Sequence, residues 1–118
     1  MRVEQVDFIT VPTRHVGRAK AFYVDVLGLP ASGKSESEVE TPNVTLSFWN
    51  PEEEGEEFFT NSAGFALRVE DVDSAVDEVR AAGGEIMGTV DTGVCHMGFV
   101  KDPDGNTVIL HRRYAPHG

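Results

Sequence analysis

FVKDPDGNTVILH, residues 99–111, decides how the rest of this chain is read. Pro103 presets φ at about −65° for the second position of a turn. Asp104 tolerates the bridge region after it, and Gly105 takes the left-handed conformation that returns the chain. Asp102 can accept hydrogen bonds from the turn's own backbone. Strand formers flank the turn, Gly98-Phe99-Val100 before it and the β-branched run Thr107-Val108-Ile109-Leu110 after it. The stretch is therefore a β-hairpin. Side chains alternate across a strand, so Val108 and Leu110 face one way while Thr107, Ile109 and His111 face the other. Both faces carry bulk, which predicts cover on both sides.

Working outward, 118 residues make one domain, 1–118, able to bury a core without disulfides. Cys95 is the only cysteine, so no intrachain disulfide forms, and with no apolar signal segment the cytoplasm is the expected compartment. No run reaches the roughly 18 apolar residues that a membrane span needs. Ten Lys and Arg against twenty Asp and Glu give a formal charge of −10, which argues against nucleic acid and favours cationic partners. Much of the excess lies in Glu52-Glu53-Glu54-Gly55-Glu56-Glu57, which reads as a solvated loop.

From the start, Val3 to Val11 alternates as a strand, with Val6, Phe8 and Thr10 on one face, and Pro12 ends it. Val16, Ala19, Tyr23 and Val26/Leu27 then recur at helical spacing, widened by Phe22, with Thr13 a candidate N-cap. Gly28 caps that helix and Pro30 prevents its resumption. Residues 31–40 read only weakly as an exposed strand or hairpin arm. Val44 to Trp49 alternates Leu46 and Phe48 against Thr45, Ser47 and Trp49, a half-buried strand.

Beyond Asn61 the pattern starts again. Ala63 to Val69 is a strand, Asp71 an N-cap, and Val72, Ala75, Val76 and Val79 a helical stripe stopped by Gly83-Gly84. Glu85 to Gly88 forms a short strand, and Val94 to Val100 leads into the hairpin. At a constant offset of 56, Phe8 matches Gly64, Ile9 Phe65, Val11 Leu67, His15 Asp71, Val16 Val72, Ala19 Ala75 and Gly28 Gly84. A twofold repeat of this length implies an α+β domain of two βαβββ modules, about 1–57 and 61–118, whose curved mixed sheets line a cleft.

VDFITVP, HVGRAKAFYVDVLGLP, GFALRVEDVDSAVDEVRAAGGEI and FVKDPDGNTVILH together resemble the vicinal oxygen chelate superfamily: glyoxalase I, extradiol dioxygenases and bleomycin-resistance-type binding proteins. The resemblance covers nearly the whole chain, less clearly residues 31–60. It implies a cleft metal held by one side chain from each of four strands, at positions that here are Phe8, Ser47, Gly64 and Ile109. A phenyl ring, a hydroxyl, a hydrogen and a branched alkyl group do not supply the imidazole, carboxylate or thiolate donors a divalent metal needs. No metal and no other cofactor is expected, and the activities that rest on the metal are in doubt.

The same alternation aims Val6, Thr10, Trp49, Ala66, Arg68, Thr107 and His111 at the cleft. The expected ligand-binding residues are Phe8, Ser47, Trp49, Arg68, Ile109 and His111, with no catalytic residue identified. Phe8 and Trp49 can stack on a planar or cationic ligand, and Arg68 can pair with an anionic group. Space-filling competes as the role of Phe8 and Ile109, and a dimer interface competes for Trp49. Cys95 and His96 are adjacent on a strand and so point to opposite faces, which argues against a thiol–base pair. His15 stands where relatives have a capping Asp, and a neutral imidazole is expected to cap poorly, leaving it facing solvent or a partner subunit. His117 lies in a tail.

Three functions remain open. One is a metal-free binder of a hydrophobic or aromatic small molecule, cationic ones included. The second is a glyoxalase-type lyase or isomerase, or a dioxygenase, with an atypical metal site. The third is an accessory domain with a vestigial cleft. Family resemblance also implies a homodimer.

Overall fold

The structure, a computed structural model, describes residues 1–33 and 35–116, so His117 and, within the weakly patterned stretch, Lys34 lie outside the described residues. The fold is α+β, in two compact units, Met1–Thr60 and Asn61–Gly118.

In the second unit the sequence pattern becomes β4 (Phe65–Arg68), α2 (Val72–Ala81), β5 (Glu85–Asp91), β6 (Cys95–Lys101) and β7 (Thr107–Arg113). Its sheet has the order β4-β7-β6-β5, with β4 parallel to β7 and the other neighbours antiparallel. Asp71 caps α2 by accepting the Ser74 N–H at 2.9 Å, and that bond holds its carboxyl below the usual carboxylate range. Val72, Val76 and Val79 are buried against Val100, Val108 and Leu110 of the sheet. Gly98 lets the helix come this close, since a Cβ there would lie 2.5 Å from Val76 Cγ2.

β5 runs three residues beyond the expected Gly88, because a bulge between Ile86 and Gly88 absorbs one residue and the ladder continues to Asp91. The DPDG turn closes as read: the Gly105 N–H donates to the Asp102 carbonyl at 3.0 Å, and Asp102 Oδ1 accepts from the Asp104 and Asn106 N–H groups. One face of the hairpin is packed under α2, while Ile109 and His111 on the other face are only half-buried, so the cover expected on both sides is found on one.

The first unit repeats the plan in shorter form: β1 (Phe8–Pro12), α1 (Val16–Ala21) continuing into a π-helical turn (Phe22–Val26), β2 (Glu38–Glu40) and β3 (Thr45–Trp49). β1 runs parallel to β3, which pairs antiparallel with β2. A lone bridge from Ala31 to Val39 stands where the second unit has β5, so the fourth strand is reduced to one residue pair. Residues 31–40 thus hold one short strand. Val11, Val39, Leu46 and Phe48 are buried with Ala19, Phe22 and Tyr23 of the helix, and the Tyr23 and Phe48 rings meet at 5.1 Å.

Several expectations change here. The opening strand starts at Phe8 rather than Val3, because residues 1–7 have no ladder partner among the described residues. His15 is the N-cap of α1: its Nδ1 accepts the Arg18 N–H at 3.0 Å, while Thr13 Oγ1 accepts the His15 N–H instead of capping. A neutral imidazole presenting Nδ1 as acceptor does what Asp71 does fifty-six residues on. The acidic run is exposed as read, but its first part forms a 3-10 turn, Pro51–Glu54, capped by Asn50 through the Glu52 N–H.

The repeat offset is not constant. It is 56 through the helix caps, but the left-handed glycines that end the helices are Gly28 and Gly83, one residue less. The π turn, closed by the Leu27 N–H on the Phe22 carbonyl, accounts for the extra residue in the first unit.

Candidate functional site

Each unit covers one face of its sheet with a helix and leaves the other open. On the first sheet, alternation puts Phe8 and Thr10 of β1, Glu38 and Glu40 of β2, and Thr45, Ser47 and Trp49 of β3 on the open face. The ladder sets them in rows. Phe8, Thr45 and Glu40 lie level, then Thr10, Ser47 and Glu38, then Pro12 and Trp49. Thr45 Oγ1 donates to Glu40 Oε2 at 2.8 Å, which fixes that carboxylate. The half-buried Glu38 carboxylate makes no hydrogen bond or ion pair among the described residues.

Chain past β3 completes the aromatic part. Phe59 meets Trp49 edge to face at 6.4 Å, and Arg14 lies 4.1 Å over the Phe58 ring while its Nε pairs with Glu52 at 3.4 Å. This face therefore offers aromatic rings at its two ends and acids and hydroxyls between them. Glu38, Glu40 and Phe59 were not singled out from the sequence. The Glu-Val-Glu alternation in β2 was the available signal for the two acids, and Phe59 had none.

On the second sheet the open face carries Ala66 and Arg68 of β4, Thr107, Ile109, His111 and Arg113 of β7, and Cys95, Met97, Phe99 and Lys101 of β6. Arg68 lies beside His111, and His111 beside Met97; Ala66 lies beside Ile109, and Ile109 beside Phe99. Met97 and Phe99 join the expected residues through the hairpin register. His96 faces α2, with Nε2 3.6 Å from Asp73 Oδ1, so it and Cys95 do point to opposite faces.

The family model for the Glyoxalase/Bleomycin resistance protein/Dioxygenase superfamily matches residues 5–110. The chain belongs to this superfamily. Among solved structures, this glyoxalase-superfamily chain is similar to a superfamily member from Sphaerobacter thermophilus DSM 20745, at TM-score 0.75 and 20% identity over 92% of this chain and 97% of that one. It is also similar to TnmS3, an antibiotic binding protein from Streptomyces sp. CB03234, at TM-score 0.73 and 23% identity over 96% and 98%. A third is a lactoylglutathione lyase from Agrobacterium tumefaciens, at TM-score 0.73 and 18% identity over 93% and 94%. These likenesses establish a shared fold. A search of curated proteins finds no match.

The superfamily's metal-holding members implied a ligand at each of Phe8, Ser47, Gly64 and Ile109, and the residues present do not fit one. Ser47 offers a hydroxyl, and Phe8 and Ile109 offer no donor. At Gly64 the backbone itself excludes a side chain: φ is +83°, and a Cβ would lie 2.8 Å from the Thr107 carbonyl oxygen. Among the described residues no group of three His, Cys, Asp or Glu could hold a metal ion. No helix of the described residues is long and apolar enough to cross a membrane.

The six expected ligand residues divide between the faces. Phe8, Ser47 and Trp49 lie on the first open face, and Arg68, Ile109 and His111 on the second.

Proposed function

We propose that this superfamily member is a metal-free small-molecule binder whose first sheet takes a planar aromatic ligand bearing a positive charge. The observation that carries this reading is the shared face of Trp49, Phe8 and the carboxylates of Glu38 and Glu40. Glu38 lies level with Ser47, two residues along the strand from Trp49, or about 7 Å. A ring stacked on Trp49 thus brings a cationic substituent to Glu38, where cation–π attraction and ion pairing act together. That a superfamily neighbour is an antibiotic binding protein is in keeping with a binding role. The reading takes the protein as a cytoplasmic homodimer.

The probe pair N-methylquinolinium and neutral quinoline tests it at pH 7.5, read by calorimetry and by quenching of the single tryptophan. The cation is expected to bind on the order of micromolar. Trp49→Ala and Glu38→Gln are each expected to weaken it about tenfold, as the loss of one stacking or charge contact does. Dialysis against chelator is expected to leave the affinity unchanged. Equal affinity for the two probes would remove the charge from this account, and affinity lost with the chelator and restored by added metal would overturn it.

A further inference from the structure

We infer that the open face of the second sheet is an anion-recognising surface, which takes an aromatic acid by placing its carboxylate at Arg68 and His111. The inference rests on the reading of the chain as a small-molecule binder, but on other residues of opposite charge.

Sign segregation is the first ground. The second unit's acids are concentrated on α2 and in turns: Asp71, Asp73, Asp77 and Glu78 at or in the helix, Asp102 and Asp104 in the hairpin turn. Its open sheet face is basic instead, with Arg68, Lys101 and Arg113 and a single carboxylate, Glu85. Lys101 and Glu85 neutralise each other at 3.4 Å. Arg68 and Arg113 remain, in a protein whose formal charge is −10.

Unused hydrogen-bonding capacity is the second. The exposed Arg68 guanidinium and the half-buried His111 imidazole make no hydrogen bond or ion pair among the described residues. Next along this face of β7, Arg113 donates through Nη2 to the Pro116 carbonyl at 3.1 Å, while its Nε is buried without a partner among the described residues. A guanidinium beside an imidazole on neighbouring strands can offer a fork and a ring nitrogen to one carboxylate, and the bonds from the guanidinium are charge-assisted.

The third ground is the floor. One row down from Arg68 and His111, Ile109 and Phe99 lie side by side, flanked by the small Ala66 on β4 and Gly88 on β5. Large residues in the middle strands and small ones at both edges make a shelf for a flat apolar body. Met97, beside His111, adds a polarizable thioether. The acid therefore lies along the strands, with its ring on Phe99 and Ile109 and its carboxylate toward Arg68.

1-Naphthoate and neutral 1-naphthalenemethanol are the probes, titrated by calorimetry against the full chain at low and high salt, with N-methylquinolinium run in parallel. Naphthoate is expected to bind more tightly than the alcohol, with an advantage that shrinks as salt rises. Arg68→Gln is expected to cost naphthoate about tenfold or more, as loss of a charge-assisted bond does, while leaving N-methylquinolinium unchanged. Phe99→Leu is expected to weaken acid and alcohol alike. If the cation binds while naphthoate gains nothing over the alcohol, or Arg68→Gln leaves naphthoate unaffected, the anion surface is overturned and the proposed function stands. If neither charged probe binds, both are overturned.

Discussion

Tyr114 donates its hydroxyl to Asp91 Oδ1 at 2.6 Å, joining the chain after β7 to the end of β5. The bond from Tyr114, with that from the Gly93 N–H, holds the Asp91 carboxyl below its ordinary value of 3.8. The same bond raises the Tyr114 phenol above 10.0. A lowered carboxylate stabilises the fold above pH 3.8 and loses that contribution as pH falls through its folded value; a raised phenol contributes below pH 10.0 and loses it as pH rises through its own. Tyr114→Phe is therefore expected to lower the Tm by a constant amount between these limits, with the difference from the parent shrinking at both extremes. A gap independent of pH from 2 to 11 would overturn the pairing. At this scale the sequence was partly legible: Asp71 was read as a cap from its position, whereas His15 was read as a poor one. Residue preference reports the average imidazole, and only the geometry shows Nδ1 turned toward the Arg18 N–H.

At the scale of the element, DPDGN is more than a turn. Asn106, fully buried, donates through Nδ2 to Asp102 Oδ2 at 2.8 Å and accepts the Asn61 N–H at 2.8 Å. Asn61 Oδ1 in turn takes the Gly64 N–H, and the Asn61 carbonyl takes the Thr107 N–H. The turn thus holds the segment leading into β4 against the start of β7, which is what lets two strands so distant in sequence pair in parallel. Asn106→Ala removes the acceptor of the Asn61 N–H and the Nδ2 donor to Asp102, at an expected cost of about 2–3 kcal/mol. Urea unfolding measures it, and a loss below about 0.5 kcal/mol would show that water replaces the amide. The hairpin was readable because Pro, Asp and Gly act locally. The π turn and the bulge at Met87 were not, since both answer to packing against a sheet formed by distant residues.

On the scale of the molecule, Val3 and Val6 are 78% and 63% exposed, in the stretch 1–7 that has no ladder partner among the described residues. Exposed apolar residues on a stretch without a ladder partner are what a second copy covers, in keeping with the proposed homodimer. Sedimentation at tens of micromolar is expected to give twice the chain mass and, for Val3→Glu/Val6→Glu, a shift toward monomer. A monomeric parent chain at that concentration would overturn the dimer.

The sequence by itself determined the α+β repeat, the hairpin, and the poverty of metal donors at Phe8, Gly64 and Ile109, because turn chemistry, side-chain period and donor type are local properties of the residues. Tertiary structure alone decided that Glu38 and Glu40 share a face with Trp49, that Met97 and Phe99 lie beside His111 and Ile109, and that Gly64 has no room for a side chain. Each of these depends on strand register, which is fixed by burial of the opposite face against a helix and by hydrogen bonds between residues far apart in the chain.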